Sequence, residues 1–137
     1  MSAIDTSVLV SICLEEDGCD TFESTLRAED HVIGTCVLQE ASMVLTSVLS
    51  FVQASAFLHR LVLLPNLSIA DFGEREWRVG AEAFDRYGKG RHPARLNFGD
   101  CMSYAVAKVR DEPLLFKGDD FGHTDLALHP ASVLPSS

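Results

Sequence analysis

The sequence predicts a single α/β domain built on a parallel β-sheet. Short apolar runs alternate with amphipathic segments of helical period along the chain, which is the pattern of a parallel sheet covered by helices. The chain has 137 residues, 47% of them hydrophobic, which is enough for one core and too little for two. No internal repeat or linker interrupts the pattern. We therefore expect one domain over residues 1–130, followed by a flexible tail at 131–137.

The strands are predicted from short apolar runs bounded by turn-forming or charged residues. Along the chain these are residues 2–5, 31–34, 67–69, 114–116 and, as a last short strand, 126–128. The first run stops at Asp5 and the fourth stops before a Gly-Asp-Asp turn. A carboxylate thus follows at least two of the predicted strands.

Capping residues between the strands predict where the helices begin, because a short polar side chain can accept from the free N–H groups of the first turn. The predicted caps are Thr6 or Ser7, Asp20, Thr35, Ser50, Asp71 and Asn97. Apolar spacing then predicts the buried faces. The helix after Thr35 should bury Val44 and Val48, and Trp77, Phe84 and Tyr104 should lie in the core rather than stack on bases.

The charge balance restricts the class of function. Twenty Asp and Glu against eleven Lys and Arg give a net charge of -9, which argues against a protein that coats nucleic acid. However, four of the cations fall within residues 86–95, so a local basic surface is expected there.

Two further features restrict the cellular setting. No apolar run approaches the roughly 20 residues of a membrane span, and the N-terminus lacks the basic region of a signal peptide, so we expect a cytoplasmic protein. The four cysteines have no metal-ligand spacing, which favours reduced thiols over a zinc site.

The acidic residues are the candidates for chemistry. Asp5, Asp100 and the Asp119–Asp120 pair each follow a strand or open a helix, and such positions converge at the carboxyl edge of a parallel sheet. Glu40 falls on the inner flank of its predicted helix, where an unpaired carboxylate is costly. A carboxylate cluster needs a cation, and Mg²⁺ or Mn²⁺ suits hard oxygen ligands. Simpler roles remain open, since Asp5 could cap a helix, Asp100 could complement its dipole, and the pair could form a turn.

Four stretches of the sequence resemble one family. They are IDTSVLV at 4–10, QEASMVL at 39–45, GKGRHPARLNFGDC at 88–101 and LLFKGDDFGHTDL at 114–126. In this order they resemble the PIN-domain ribonucleases, and specifically the VapC-type toxins of bacterial toxin–antitoxin pairs. The resemblance implies a three-layer α/β/α fold with a central parallel sheet of four to five strands.

The resemblance also implies a site. Asp5, Glu40 and Asp100 match the acidic positions of the family, which bind Mg²⁺ or Mn²⁺ and cleave single-stranded RNA. Gly118 stands where many members carry the polar residue of T-x-D, so Asp120 is taken as the fourth acid and Asp119 as second choice. Supporting roles are expected for Thr6, Thr124 and Asp125. The residues expected to bind RNA phosphates are Lys89, Arg91, His92 and Arg95, with Lys117 a weaker candidate.

The implied partners are an RNA substrate, a small VapB-like antitoxin and a second copy of the chain. Two rival protein classes fit poorly, because this chain has Asp5-Thr6-Ser7 after the first strand. A phosphoacceptor receiver domain needs an acidic doublet there. A haloacid-dehalogenase-like phosphatase needs D-x-D there. Two closer alternatives stay open at this point. One is a PIN-fold RNA-processing nuclease outside any toxin–antitoxin pair, and the other is a PIN-fold module that binds RNA or a partner without cleaving.

Overall fold

The computed structural model describes residues 1–135 and contains a four-stranded parallel sheet in the order β3-β2-β1-β4. The strands are β1 (Ser2–Ile4), β2 (His31–Gly34), β3 (Leu67–Ala70) and β4 (Leu114–Leu115). The helices are α1 (Thr6–Cys13), α2 (Cys19–Ala28), α3 (Thr35–Thr46), α4 (Phe51–Leu61), α5 (Glu74–Tyr87) and α6 (Phe98–Arg110), with a 3₁₀ turn at Asp120–His123. The predicted three-layer α/β/α fold is confirmed.

Strand pairing brings distant parts of the chain to one edge of the sheet. β1 lies in the centre, with Ala3 paired to Val32 of β2 on one side and to Leu114 of β4 on the other. Because all four strands are parallel, their carboxyl ends open at the same edge. Asp5 follows β1 at this edge, and the segment that contains Asp119 and Asp120 follows β4.

The sheet separates two hydrophobic cores. Alternate residues of a strand point to opposite faces, and β1, β2 and β4 follow this rule. Ala3, Val32 and Leu114 pack in the core under α5 and α6, whereas Ile4, Ile33 and Leu115 pack in the core under α1 to α4. Both faces of the sheet are therefore covered, as its apolar strands require.

The C-terminal segment is bonded to the β4 region as far as Val133, which lies within the predicted tail. Leu128 forms a single parallel bridge to Leu114, so the predicted strand at 126–128 is reduced to that bridge. The backbone N–H of Val133 donates to the Phe116 carbonyl at 2.9 Å, and the Ser132 hydroxyl donates to the Leu114 carbonyl at 3.0 Å. The predicted tail boundary at residue 131 is thus wrong for Ser132 and Val133. Residues 136 and 137 lie outside the described residues.

Two predicted helix caps are confirmed and four are wrong. At α1 the cap is Asp5 and not Thr6 or Ser7. Ser50 and Asn97 both form full capping boxes. At α2, α3 and α5 a glycine occupies the cap position instead. Sequence reasoning chose Thr35 for α3, but a side chain at the true cap, Gly34, would stand 2.7 Å from Val106, so close packing of β2 on α6 requires a glycine there.

The predicted burial of α5 is wrong. Trp77 is 58% exposed and Phe84 42% exposed, whereas Tyr104 of α6 is buried as expected. The reason is that α5 packs on α6 through its other face, which includes Gly80 and Ala83, and the aromatic stripe is left outside. On α3, Val44 and Val48 are likewise exposed.

All four cysteines are free, in agreement with the expected reduced thiols. Burial raises the pKa of both Cys36 and Cys101 to about 11. Among the described residues, none of the helices has the length and apolar character needed to cross a membrane.

Candidate active site

Asp5 is held rigidly at the carboxyl end of β1. It is the N-cap of α1, and its Oδ2 accepts from the backbone N–H of Ser7 at 3.1 Å and from the Ser7 hydroxyl at 2.6 Å. The Ser7 oxygen in turn accepts from the backbone N–H of Lys117 at 3.0 Å. This chain of hydrogen bonds fixes the Asp5 carboxylate relative to the segment that follows β4.

Asp100 lies in the first turn of α6 and is oriented by a reciprocal cap. Its Oδ2 accepts from the Asn97 backbone N–H at 3.1 Å, and the Asn97 side chain accepts from the Asp100 N–H at 2.9 Å. Burial, the charges of Asp5 and Asp120 and a hydrogen bond with Asp120 raise the pKa of Asp100 to about 7, against the opposing Asn97 N–H. The fold therefore places the charges of Asp5 and Asp120 close enough to Asp100 to oppose its ionisation.

The two neighbouring acids after β4 differ in position. Asp120 begins the 3₁₀ turn, is half-buried and interacts with Asp100. Asp119 is exposed, and its Oδ1 lies 3.2 Å from the Nε2 of His123. Of the two, Asp120 is the one that the fold brings to the cluster.

Glu40 approaches the cluster from α3. Its Oε1 accepts from the Thr6 hydroxyl at 2.5 Å. Its Oε2 lies so close to Gly99 that a Cβ on that residue would stand 1.8 Å away. Glu40 thus contacts the residue after Asp5 and the residue before Asp100, although it is half-buried rather than fully enclosed.

Sequence reasoning did not identify Ser7 and Gly99 as parts of this site. Ser7 was considered only as a possible cap, yet a hydroxyl two residues after a strand-end aspartate is well placed to bond back to it. The signal for Gly99 was a glycine inside the first turn of a helix, where it has no conformational advantage, since it costs about 0.5–1 kcal/mol relative to alanine.

Thr124 and Asp125 shape the segment after the 3₁₀ turn. The Thr124 hydroxyl donates to the Phe121 carbonyl at 2.8 Å. Asp125 accepts from the Tyr104 hydroxyl at 2.6 Å and from the Lys108 ammonium at 3.0 Å. Although burial opposes it, these donors lower the pKa of Asp125. Asp125 is therefore bonded to α6, whereas the Thr124 hydroxyl is bonded within its own segment.

The basic loop closes against the start of α6. A bridge between Gly88 and Leu96 forms its base, immediately before the capping box of Asp100. Lys89 and Arg95 are exposed, whereas Arg91 lies 3.5 Å from Asp85. His92 is half-buried, with its ring edge against Tyr87. The loop thus presents exposed cations immediately before α6 in the chain, while Lys117 is paired with Glu16 at 3.2 Å.

The donor set can be tested for its fit to a divalent cation. As they stand, no three acidic, histidine or cysteine side chains within residues 1–135 are arranged to hold a metal ion. The chemistry of the cluster nevertheless fits a hard cation, because its donors are carboxylate oxygens, and burial together with the charges of Asp5 and Asp120 raises the pKa of Asp100. A divalent ion would take the place of the proton on Asp100 in offsetting the negative charge of these carboxylates.

Comparisons with known proteins agree with this architecture. The model of the PIN domain family matches residues 3–126. Ribonuclease VapC30 of Mycobacterium tuberculosis is 38% identical over 129 residues, covering 90% of this chain and 95% of the relative. Ribonuclease VapC of Mycolicibacterium smegmatis is 40% identical over 129 residues, covering 90% of this chain and 96% of the relative. A solved toxin–antitoxin complex from Klebsiella pneumoniae superposes with a TM-score of 0.71 at 12% identity, covering 97% of this chain and 100% of that chain.

The fold and the strand-end acids define the class, and the extent of the sequence match defines the group within it. The chain belongs to the PIN-domain family and, within that family, to the VapC ribonucleases.

Proposed function

We propose that this chain is a divalent-metal-dependent endoribonuclease that cleaves single-stranded RNA at the carboxyl edge of its sheet. The observation that carries the proposal is the burial of Asp100 beside the charges of Asp5 and Asp120, which together raise its pKa to about 7. Such a concentration of acids is unfavourable for the fold alone and is typical of a functional site. Membership among the VapC ribonucleases supports the same activity.

The residues proposed to bind Mg²⁺ or Mn²⁺ are Asp5, Glu40, Asp100 and Asp120. When bound, the ion supplies a water of lowered pKa and neutralises charge that develops on the phosphodiester. The protein keeps the ligands oriented: Ser7 holds Asp5, Asn97 holds Asp100, and Thr6 holds Glu40. Asp100 must lose its proton to act as a ligand, which couples metal affinity to pH.

The basic loop is the proposed contact for the RNA backbone. The exposed side chains of Lys89 and Arg95 lie next to the start of α6, so they can neutralise phosphates that flank the cleaved bond. Arg91 and His92 are expected to contribute less, because each is already engaged within the loop. The rest of the chain is acidic, which confines the RNA to this edge.

We further propose that the chain is the toxin of a toxin–antitoxin pair and acts in the cytoplasm with a small VapB-like antitoxin as its inhibitor. The group to which it belongs supports this role, and so does its likeness to the toxin–antitoxin complex from Klebsiella pneumoniae.

A second copy of the chain is the proposed partner of the exposed aromatic surface of α5 and α6, which consists of Phe72, Trp77, Ala81, Phe84, Phe98 and Met102. These residues line an apolar pocket of about 240 Å³. An apolar surface of this kind does not suit the charged backbone of RNA, whereas a second copy of the chain supplies an equally apolar surface against which it can be buried.

The activity is tested by incubating a mixed RNA pool with the purified chain and Mg²⁺ or Mn²⁺. Wild type should cleave, Asp5→Asn should not, and EDTA should abolish cleavage. The matched control is Asp119→Asn, which removes an exposed acid of the same turn and should leave cleavage intact. Cleavage by wild type that persists in Asp5→Asn or in EDTA would contradict the proposal.

A further inference from the structure

Gly99 occupies a position where the fold leaves no room for a side chain. It is the second residue of α6 and is buried. A Cβ built on it would stand 1.8 Å from Oε2, 2.5 Å from Cδ and 2.8 Å from Oε1 of Glu40. The carboxylate of Glu40 therefore fills the volume that any other residue at this position would need.

The Glu40 carboxylate is also held by a hydroxyl. Thr6 donates to Oε1 at 2.5 Å, and Thr6 directly follows Asp5 in the chain. Gly99 directly precedes Asp100. The carboxylate of Glu40 thus lies between Thr6, the neighbour of Asp5, and Gly99, the neighbour of Asp100. Thr6 donates a hydrogen bond to it, and Gly99 leaves space for it because it has no side chain.

Other close glycines in the described residues have different neighbours. At Gly34 and Gly88 an added Cβ would meet Val106 and Phe84, so these two glycines serve packing. At Gly73 the Cβ would lie 3.6 Å from Oε2 of Glu76, which is an ordinary contact. Gly99 differs from these three glycines because the atoms that would lie too close to an added Cβ belong to Glu40, an acid of the candidate site.

We propose that Gly99 is a positioning residue for Glu40: the absence of a side chain at 99 lets Glu40 join the acid cluster. Adding a methyl group there displaces the Glu40 carboxylate, because the end of a flexible side chain moves more easily than the backbone of α6. The fold survives, since alanine is the better helix former by about 0.5–1 kcal/mol. The consequence for metal binding rests on the proposed function, whereas the displacement itself does not.

The test is a double-mutant cycle on Mn²⁺ affinity, measured by isothermal titration calorimetry on the full chain. Gly99→Ala should weaken Mn²⁺ binding about 10- to 100-fold, the range found when a residue that orients a ligand is lost. Glu40→Ala should weaken it at least as much, and the double variant should lose nothing further, because both changes remove the same ligand. Gly73→Ala is the matched control, since it adds the same methyl beside another glutamate, and should bind Mn²⁺ as wild type does.

A crystal structure of metal-free Gly99→Ala separates this inference from the proposed function. The inference predicts that the hydrogen bond between Thr6 and Glu40 is broken while α6 keeps its place. An unmoved Glu40, wild-type affinity in Gly99→Ala, or an additional loss in the double variant would each overturn it. If wild type itself binds no Mn²⁺, the metal site of the proposed function fails, and the position of Glu40 in the variant still decides the inference.

Discussion

At the scale of single residues, the site is built from polar side chains that each have a second, structural task. Asp5 caps α1, and Asp100 completes the capping box of α6. The simple roles that the sequence left open for these acids are therefore real, and they coexist with convergence on one edge. Capping fixes the rotamer of a carboxylate, which is what a preorganised ligand needs.

Ser7 should prove essential to the orientation of Asp5. In Ser7→Ala the Asp5 Oδ2 loses its hydroxyl donor and the Lys117 N–H loses its acceptor. We expect metal-dependent RNA cleavage to fall about 10- to 100-fold, and the free energy of unfolding to fall by about 1–2 kcal/mol. Ser24→Ala, an exposed serine of α2, is the control for both measurements. Unchanged cleavage in Ser7→Ala would contradict the assigned role.

Asp100 makes the stability of the metal-free protein depend on pH. Its pKa is raised to about 7, so between about pH 4 and pH 7 the unfolded chain releases this proton before the folded chain does. The folded state is therefore destabilised as pH rises through this window. Asp100→Asn removes the effect, so in EDTA its melting temperature should exceed that of wild type by more at pH 8 than at pH 5. An equal difference at the two pH values would show that Asp100 ionises normally.

At the scale of the elements, α5 and α6 are joined by an ion pair between the buried Glu76 and the half-buried Arg110. The Glu76 carboxylate accepts from the Gly73 N–H at 3.1 Å and lies 3.3 Å from the Arg110 guanidinium. Although burial opposes it, backbone N–H donors and Arg110 lower the pKa of Glu76. The pair fixes the start of α5 against the end of α6.

Breaking this pair should destabilise the fold. Glu76→Gln removes the charge that faces Arg110, and we expect a loss of about 1–3 kcal/mol in the free energy of unfolding. The control is Glu74→Gln, which breaks an exposed pair with Arg78 on the same helix and should cost about 0.5 kcal/mol or less. Denaturation in urea measures both, and equal losses would refute the distinction.

The same elements show what the sequence could and could not predict. The strands, the helix order and the capping boxes at Ser50 and Asn97 follow from local patterns. The exposed stripe at Trp77 and Phe84 could not be predicted, because apolar spacing shows an amphipathic face but not which partner covers it. The close contact between Gly99 and Glu40 could not be predicted from the sequence either, because it depends on how α3 and α6 cross.

At the scale of the whole molecule, the strand order explains how distant acids meet. β1 lies between β2 and β4, so Asp5 is placed between the segment after β4 and the helix after β2 that carries Glu40. The convergence of these acids could be predicted because Asp5 and Asp120 follow strands and Asp100 opens a helix. The preference for Asp120 over Asp119 comes only from the resemblance, because their different positions depend on the direction of the 3₁₀ turn.

The aromatic surface of α5 and α6 should control the oligomeric state. Trp77→Glu places a charge in the apolar face, and we expect the dimer to dissociate at micromolar concentration in sedimentation velocity. Leu63→Glu, which changes a more exposed apolar residue after α4, should leave the dimer intact. If wild type is a monomer, or if the Trp77→Glu variant remains a dimer, this surface is not the dimer interface.

The central claim is that the acids at the carboxyl edge form one divalent-metal site, and Mn²⁺ binding at pH 8 measures it most directly. Isothermal titration should show saturable binding to wild type and to Asp119→Asn, and a loss of binding in Asp100→Asn. Binding of equal affinity in wild type and Asp100→Asn would contradict the account, because it would place the ion away from the acid cluster.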